Sequence, residues 1–180
     1  SLPNFKIPFS GVGAKYSEEE KTAVMSAMDA IGTYTQGPLQ ESFQSKFADY
    51  VGVDFALATS SAAAALELAA IVLKLQPGDE VICPSHTYCA SAYPFGKHGA
   101  KLVWADIDAD TWVVDPESIR SLITSKTRAI IAVHLYGLPA PMSAIKKLTE
   151  NKDIVIIEDC AQSIGATINN KRVGSFGDMS

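Results

Sequence analysis

From residue 55 onward the chain alternates between two rhythms. Short, unbroken apolar runs stand at residues 55–58, 81–83, 102–105, 129–133 and 154–157. Between them lie stretches with apolar residues at helical spacing, at 61–75, 87–97, 116–123 and 141–151. A strand that is apolar at every position has both faces covered, and strands separated by helices return in the same direction. The pattern predicts an α/β domain: a mostly parallel sheet with helices on both faces. After Gly165 the rhythm changes again, and alternation around Asn169 and Asn170 predicts a small hairpin.

The first third of the chain is patterned differently. Residues 1–16 are broken by Pro3, Pro8, Gly11 and Gly13 and read as an extended arm. Ser17 followed by Glu20 is a capping box that opens a helix. That helix carries Val24, Met28 and Ile31 on one face and stops at Gly32. A loop at 33–38 leads to a second helix with Phe43, Phe47 and Tyr50 at helical spacing, closed by Gly52.

Charge and composition narrow the function classes. The 180 residues carry a net charge of −5 and no Lys/Arg cluster, which argues against a nucleic-acid partner. No apolar run reaches the ~18 residues that span a membrane, so no membrane partner is expected. The N-terminus mixes charge with apolar residues and lacks the core of a signal peptide, so a cytoplasmic protein is expected. Three cysteines, Cys83, Cys89 and Cys160, without paired spacing or an accompanying His pattern, read as reduced thiols and not as a disulfide framework or a zinc site.

Three segments can carry chemistry. TSSAAAAL at 59–66 follows an apolar run and opens a helix. Its first N–H groups lack internal partners and suit a phosphate, and its small residues let one approach. The same residues also make a Ser-capped core helix. IVIIEDCAQ at 154–162 ends a fully apolar run with two carboxylates, Glu158 and Asp159. In open α/β sheets ligands bind at the carboxyl ends of strands. A period of two turns one of the pair toward the crevice and the other away, although Asp159 would equally serve as a cap. GDEVICPSHTY at 78–88 places Tyr88 after a strand end, where it stacks on a flat ligand or fills the core. His134 at the end of the 129–133 run fits a packed, hydrogen-bonded residue better than a base. Asp106, Asp108, Asp110 and Asp115 lack the glycine turn and closing Glu of a calcium loop and read as turn residues; no metal site is expected.

Taken in order, GPLQESFQSKFADYVG (37–52), SAAAAL (61–66), GDEVICPSHTYCAS (78–91), GAKLVWADIDADTWVVD (99–115), TRAIIAVHLYG (127–137), VIIEDCAQSIGA (155–166) and GSFGDMS (174–180) resemble the DegT–DnrJ family of sugar aminotransferases. Seven segments in the right order and spacing make the resemblance specific. It implies the large domain of the type I aminotransferase fold and pyridoxal 5'-phosphate as cofactor. By position, Asp159 pairs with the pyridinium nitrogen, Gln162 bonds the ring's phenolic oxygen, and Tyr88 stacks on the ring. Ser61 and the backbone of Ala62 and Ala63 receive the phosphate. Where the family has Gly-Thr, this chain has Ala62-Ala63, which removes a hydroxyl worth about 1–3 kcal/mol to a charged acceptor. Ser60 or Ser61 can compensate.

The resemblance further implies residues 1–36 as an N-terminal arm and helix, and 37–180 as the cofactor-binding large domain. The Schiff-base lysine is expected beyond Ser180, so the segment alone is expected to be inactive. The implied reaction moves an amino group from glutamate or glutamine to a keto-sugar, usually nucleotide-linked, in a homodimer with active sites at the interface. Two alternatives share the fold: a cofactor-dependent sugar dehydratase, and a non-catalytic relative.

Overall fold

The computed structural model describes residues 15–30, 32 and 36–180. The arm before residue 15, Ile31 and residues 33–35 lie outside the described residues. The chain divides into two compact units, Ser1–Pro38 and Leu39–Ser180.

In the first unit, α1 (Glu18–Asp29) begins with the capping box read from the sequence. The Glu20 amide donates to Ser17 Oγ at 3.2 Å, and the Ser17 amide donates to a Glu20 carboxylate oxygen at 2.6 Å. Glu18, Glu19 and Glu20 stand in the first turn, where the helix dipole favours negative charge. Val24 and Met28 of its apolar face are each 60% exposed.

The second unit holds the α/β core. Helix α2 (Pro38–Val51) strings Phe43, Phe47 and Tyr50 along one side, with neighbouring ring centroids 5.7 and 6.3 Å apart. Gly52, at φ 87°, ends it in the left-handed conformation that a Cβ would penalise. The run at 55–58 is not a strand. Phe55 and Leu57 are 86% and 81% exposed, and the Ala58 amide bonds the Gln44 side chain. Apolar character alone predicts a strand here, but among the described residues no strand pairs with it.

The remaining runs form four parallel strands: β1 (Glu80–Pro84), β2 (Lys101–Ala105), β3 (Thr127–Val133) and β4 (Val155–Asp159), in the order β2-β1-β3-β4. Alternation then decides which layer each residue serves. Val81, Cys83, Ala129, Ile131, Val133 and Ile157 meet α3 (Ala62–Val72) and α4 (Tyr93–Lys97) on one face. Ile82, Ile130, Ala132 and Ile156 meet α5 (Pro116–Leu122) and α6 (Met142–Thr149) on the other. The helix expected over 87–97 is broken: a 3-10 turn at Cys89–Ser91 precedes the short α4. Pro94 at the start of α4 cannot donate a backbone hydrogen bond, which permits a helix start there and not a helix interior.

The segment around Asp178 and Met179 adds to the free edge of β4. The Glu158 amide donates to the Met179 carbonyl at 2.9 Å, and the Asp178 amide donates to the Ile156 carbonyl at 2.8 Å. The hairpin pairs β5 (Thr167–Ile168) with β6 (Lys171–Arg172). Asn169 and Asn170, at φ 50° and 64°, supply the two left-handed residues of its type I′ turn.

Phe95 is fully buried between α4 and the sheet. Phe95→Ala leaves a cavity in a layer only one helix thick and is expected to cost about 3–5 kcal/mol. Denaturant unfolding of the full-length protein measures this, and a cost below about 1 kcal/mol contradicts the packing described.

Candidate active site

Strand β1 continues to β2 on one side of the sheet, whereas β3 continues to β4 on the other. The carboxyl ends of β1 and β3 therefore flank a topological switch point, where the departing chains separate and leave a crevice. A cavity of about 270 Å³ lies there, close to the low end of small-molecule pockets. Its walls come from the start of α3 (Ser61, Ala62, Ala63), the segment after β1 (Thr87, Tyr88, Ser91), the end of β3, and the segment after β4 (Asp159, Gln162). All six residues singled out in the sequence, Ser61, Ala62, Ala63, Tyr88, Asp159 and Gln162, line this one cavity.

Each wall has its own local cause. Ser61 is the N-cap of α3: its Oγ accepts from the Ala64 amide at 3.1 Å, and its carbonyl accepts from the Ala65 amide. Ala62 and Ala63, ahead of these, have no helical carbonyl to bond, so their N–H groups belong to the positive end of the helix dipole. Their small side chains keep that end approachable. The capping and phosphate readings of this segment are compatible, because the cap uses the Ser61 oxygen and leaves the earlier amides. Tyr88 is 70% exposed, which removes the core-aromatic alternative. Gln162 accepts the Tyr136 amide on Oε1 at 3.0 Å, leaving its NH₂ as the end available to a ligand.

The paired carboxylates divide as the period of two requires. Asp159 is 9% exposed and faces the cavity. Its Oδ2 accepts from Ser91 Oγ at 2.7 Å, and its Oδ1 accepts from the Ala161 amide at 3.1 Å. The capping reading is thus present as well: the carboxylate bonds the turn two residues on. Glu158 points to the opposite face and is 1% exposed. It accepts from the amides of Gly174 at 2.9 Å, Phe176 at 2.7 Å and Gly177 at 2.6 Å. His134 completes the set at 2.9 Å. The Ala140 amide donates to His134 Nδ1 at 2.9 Å, so Nδ1 is an acceptor and the ring proton sits on Nε2, donated to Glu158. His134 is a neutral, fully buried structural residue, as its place at a strand end suggests.

His134, Glu158 and Cys160 gather within 4.8 Å of one another. The ring nitrogens and the carboxylate oxygens of that group are already taken by hydrogen bonds, so it is a hydrogen-bonding hub. All three cysteines are free. Burial pushes the Cys83 thiol up to about 12. Burial, and then the Glu158 and Asp159 charges, push Cys160 up to about 12 as well. Neither forms the thiolate needed for reaction at neutral pH. The aspartates of the 106–115 loop serve its turns: Asp108 Oδ1 accepts from Asp110, Thr111 and the Thr111 hydroxyl, and Asp115 caps α5.

Two groups escaped the sequence reading. One is the hydroxyl pair Thr87 and Ser91 beside Asp159, 2.8 Å apart. The other is an aromatic cluster next in sequence to the lining residues Thr87 and Leu135: His86 packs edge-on against Trp112 and Tyr136, with ring centroids 6.0 and 6.1 Å apart. Trp112 and Tyr136 sit at φ 63° and 54°, a backbone region that bulky residues rarely adopt. No short motif marks either group: the hydroxyl pair gains its meaning from Asp159, 68 positions from Ser91, and the aromatic cluster joins residues 86, 112 and 136.

Burial alone would raise the pKa of Glu158, but His134 and the amides of Gly177, Gly174 and Phe176 together hold it below the ordinary value of 4.5. A lowered folded pKa contributes stability that is fully present above the unfolded value and is lost as pH falls through the folded one. Stability is therefore expected to hold through neutral pH and to drop below about pH 4.5. Glu158→Gln replaces an acceptor by an NH₂ facing N–H groups and is expected to cost at least the about 1.5–3 kcal/mol of one charged hydrogen bond. It should also flatten the acid limb of the stability–pH curve. Urea titrations of both proteins between pH 3.5 and 7 check this, and an unchanged acid limb contradicts it.

The sequence matches the DegT/DnrJ/EryC1/StrS aminotransferase family over residues 15–180. Among curated relatives, it is 39% identical over 173 residues to dTDP-3-amino-3,4,6-trideoxy-alpha-D-glucose transaminase of Streptomyces venezuelae, covering 94% of this chain and 45% of that protein. It is 35% identical over 179 residues to GDP-4-keto-6-deoxy-D-mannose 3-dehydratase of Yersinia pseudotuberculosis, covering 96% and 45%. Among solved structures, the E. coli GDP-4-keto-6-deoxy-D-mannose-3-dehydratase with bound hydrated PLP superposes with a TM-score of 0.88 at 32% identity, over 95% of this chain and 45% of that one. The chain thus spans a little under half the length of these relatives. The motifs, the parallel sheet and the match over residues 15–180 agree: the chain belongs to the DegT/DnrJ/EryC1/StrS aminotransferase family.

Proposed function

We propose that the full-length protein is a pyridoxal-phosphate-dependent aminotransferase that moves an amino group from glutamate or glutamine to a nucleotide-linked keto-sugar. The observation that carries this reading is the convergence of a buried carboxylate, Asp159, an exposed aromatic, Tyr88, and a free helix N-terminus at Ala62–Ala63 on one cavity. A flat, phosphorylated cation-forming ring needs all three, whereas a cap, a core aromatic and an Ala-rich helix start have no reason to meet.

The residues fit the group. The α3 amides and the Ser61 hydroxyl would hold the phosphate, Tyr88 would cover one ring face, and the Gln162 NH₂ would meet the phenolic oxygen. Asp159 would hold the ring nitrogen proton. It has two lone-pair directions occupied, by Ser91 and Ala161, and others left for that proton. When bound, the cofactor supplies an electron sink for the carbanion left by proton loss from the substrate. The protein's part is to keep the ring nitrogen protonated, so that the sink works, and to fix the ring against the cavity wall. The aromatic cluster of His86, Trp112 and Tyr136 would receive the sugar or its nucleotide. Holding Trp112 and Tyr136 in left-handed backbone costs about 1–3 kcal/mol each, and strain of that kind concentrates at functional sites. By the family resemblance, the enzyme is a cytoplasmic homodimer with its sites at the interface.

A sugar dehydratase using the same cofactor is the second reading, favoured by the Yersinia and E. coli relatives. The residues above would serve either reaction. Product analysis on nucleotide-linked keto-sugars, with glutamate present, separates an amino-sugar from a deoxy-sugar.

Asp159→Asn keeps the shape of the site and removes its charge. In the full-length protein, cofactor binding, followed by absorbance, is expected to survive while turnover falls by orders of magnitude. Near-normal turnover would take Asp159 out of the mechanism and the proposal with it. Trp112→Gly relieves the strained backbone and removes the ring. It is expected to leave stability and cofactor affinity intact and to raise KM for the sugar substrate; an unchanged KM removes the cluster from substrate binding.

A further inference from the structure

We infer that Ser91, backed by Thr87, is a positioning residue that aims the Asp159 carboxylate into the cavity; the inference rests on the reading of Asp159 as the partner of the cofactor's ring nitrogen. Ser91 is 1% exposed, and its hydroxyl crosses from the turn after β1 to a residue 68 positions away, meeting Asp159 Oδ2 at 2.7 Å. A serine in a turn ordinarily satisfies its hydroxyl locally, on a backbone group of its own turn. Here that local bond is given up for a carboxylate on another strand.

The direction of the bonds follows from the donor count. An ionised carboxylate only accepts, so the single hydrogen of Ser91 goes to Asp159. Thr87 Oγ1 lies 2.8 Å from Ser91 Oγ and is left as the donor of that pair. The result is a one-way relay, Thr87 to Ser91 to Asp159, in which each bond strengthens the next. The Ala161 amide holds the other carboxylate oxygen at 3.1 Å. With one donor on each oxygen, rotation about the Cβ–Cγ bond is blocked, and the remaining lone pairs keep a fixed aim. The same turn sets the aromatic wall. The Ser91 amide donates to the Tyr88 carbonyl at 3.0 Å, and residues three apart in a 3-10 turn lie on one side. One turn thus orients Tyr88 and Asp159 together, and a ring between them is held at both places by a single element.

The test uses the full-length protein, 15N-labelled pyridoxal phosphate and four variants: Ser91→Ala, Ser91→Thr, Thr87→Val and Asp159→Asn. Ser91→Ala is expected to lower kcat about ten- to a hundredfold, the worth of one charge-assisted hydrogen bond, with KM for both substrates unchanged. The nitrogen resonance of the bound ring should move toward its unprotonated position. Thr87→Val, nearly the same shape, should give the same changes in smaller measure, and it remains informative if Ser91→Ala does not fold. Ser91→Thr keeps the hydroxyl and should restore the resonance. In the Asp159→Asn background, Ser91→Ala should cost nothing further, because the group through which it acts is gone. Unchanged kcat and resonance in Ser91→Ala and Thr87→Val would overturn the inference. So would an equal loss in both backgrounds, which is the mark of a purely structural serine. A full-activity Asp159→Asn protein instead overturns the reading of the cavity itself, a failure visible without any Ser91 variant.

Discussion

The structure turns on the last two residues of β4. Glu158 and Asp159 are adjacent in sequence, and a strand sends adjacent side chains to opposite faces. One carboxylate therefore enters the crevice and the other enters the opposite layer, and both are nearly or fully buried. A buried charge is tolerated only when it is hydrogen-bonded, so each carboxylate has gathered donors around it. Glu158 collects His134 and three amides from the 174–177 segment. Asp159 collects Ser91 and Ala161. Between them these contacts tie together the ends of β1, β3 and β4 and the segment that covers the edge of the sheet.

Backbone contacts keep the two faces in step. The His134 amide donates to the Asp159 carbonyl at 3.0 Å, so the residue whose ring fixes Glu158 also fixes the backbone of Asp159. Ser163 Oγ donates to the His134 carbonyl, which ties the turn after β4 to the end of β3. Gly177 passes so close to β4 that a Cβ there would lie 2.7 Å from the Ile156 carbonyl. That close approach lets its amide reach Glu158. Replacing Gly177 would push the segment away from the sheet and strip a donor from a buried charge. The geometry of the crevice is thus set partly from the far side of the sheet.

What was legible in the sequence was what depends on local pattern. Four of the five apolar runs are strands: 81–83, 129–133 and 154–157 lie largely buried between helix layers, and 102–105, half-exposed at the sheet edge, pairs with β1. The fifth, 55–58, has the same composition but, among the described residues, no strand to pair with, and composition carries no information about a missing neighbour. The helix at 87–97 was overdrawn for a similar reason: Pro94 permits a helix start, and the turn before it answers to Asp159, a residue far along the chain. Among the candidate residues, Asp159, Tyr88 and the α3 N-terminus were readable because strand ends and helix starts are visible as local signals. Ser91, Thr87 and the cluster of His86, Trp112 and Tyr136 were not. Each is an ordinary residue whose meaning lies in what the fold places beside it.

The contrast between the cavity and the cluster beside it bears on how the site could work. Its interior is relaxed: Asp159 has a donor on each oxygen, Ser61 caps its helix, and among the described residues no buried side-chain polar atom lacks a partner. The aromatic cluster beside it is strained, with Trp112 and Tyr136 both in left-handed backbone. Tyr136 is also the residue whose amide holds Gln162, so the strained loop and the cavity wall share a hydrogen bond. On the proposed function, a relaxed interior would keep the groups around a cofactor in place through repeated turnover, because nothing is gained by moving them. On the same reading, a strained cluster beside it has conformations of lower energy nearby and would yield to substrates that enter and leave. The Ala62-Ala63 pair fits the same division. On the proposed function, without the threonine hydroxyl the phosphate end would depend on Ser61 and on backbone amides locked into α3, which cannot rotate away as a side chain can.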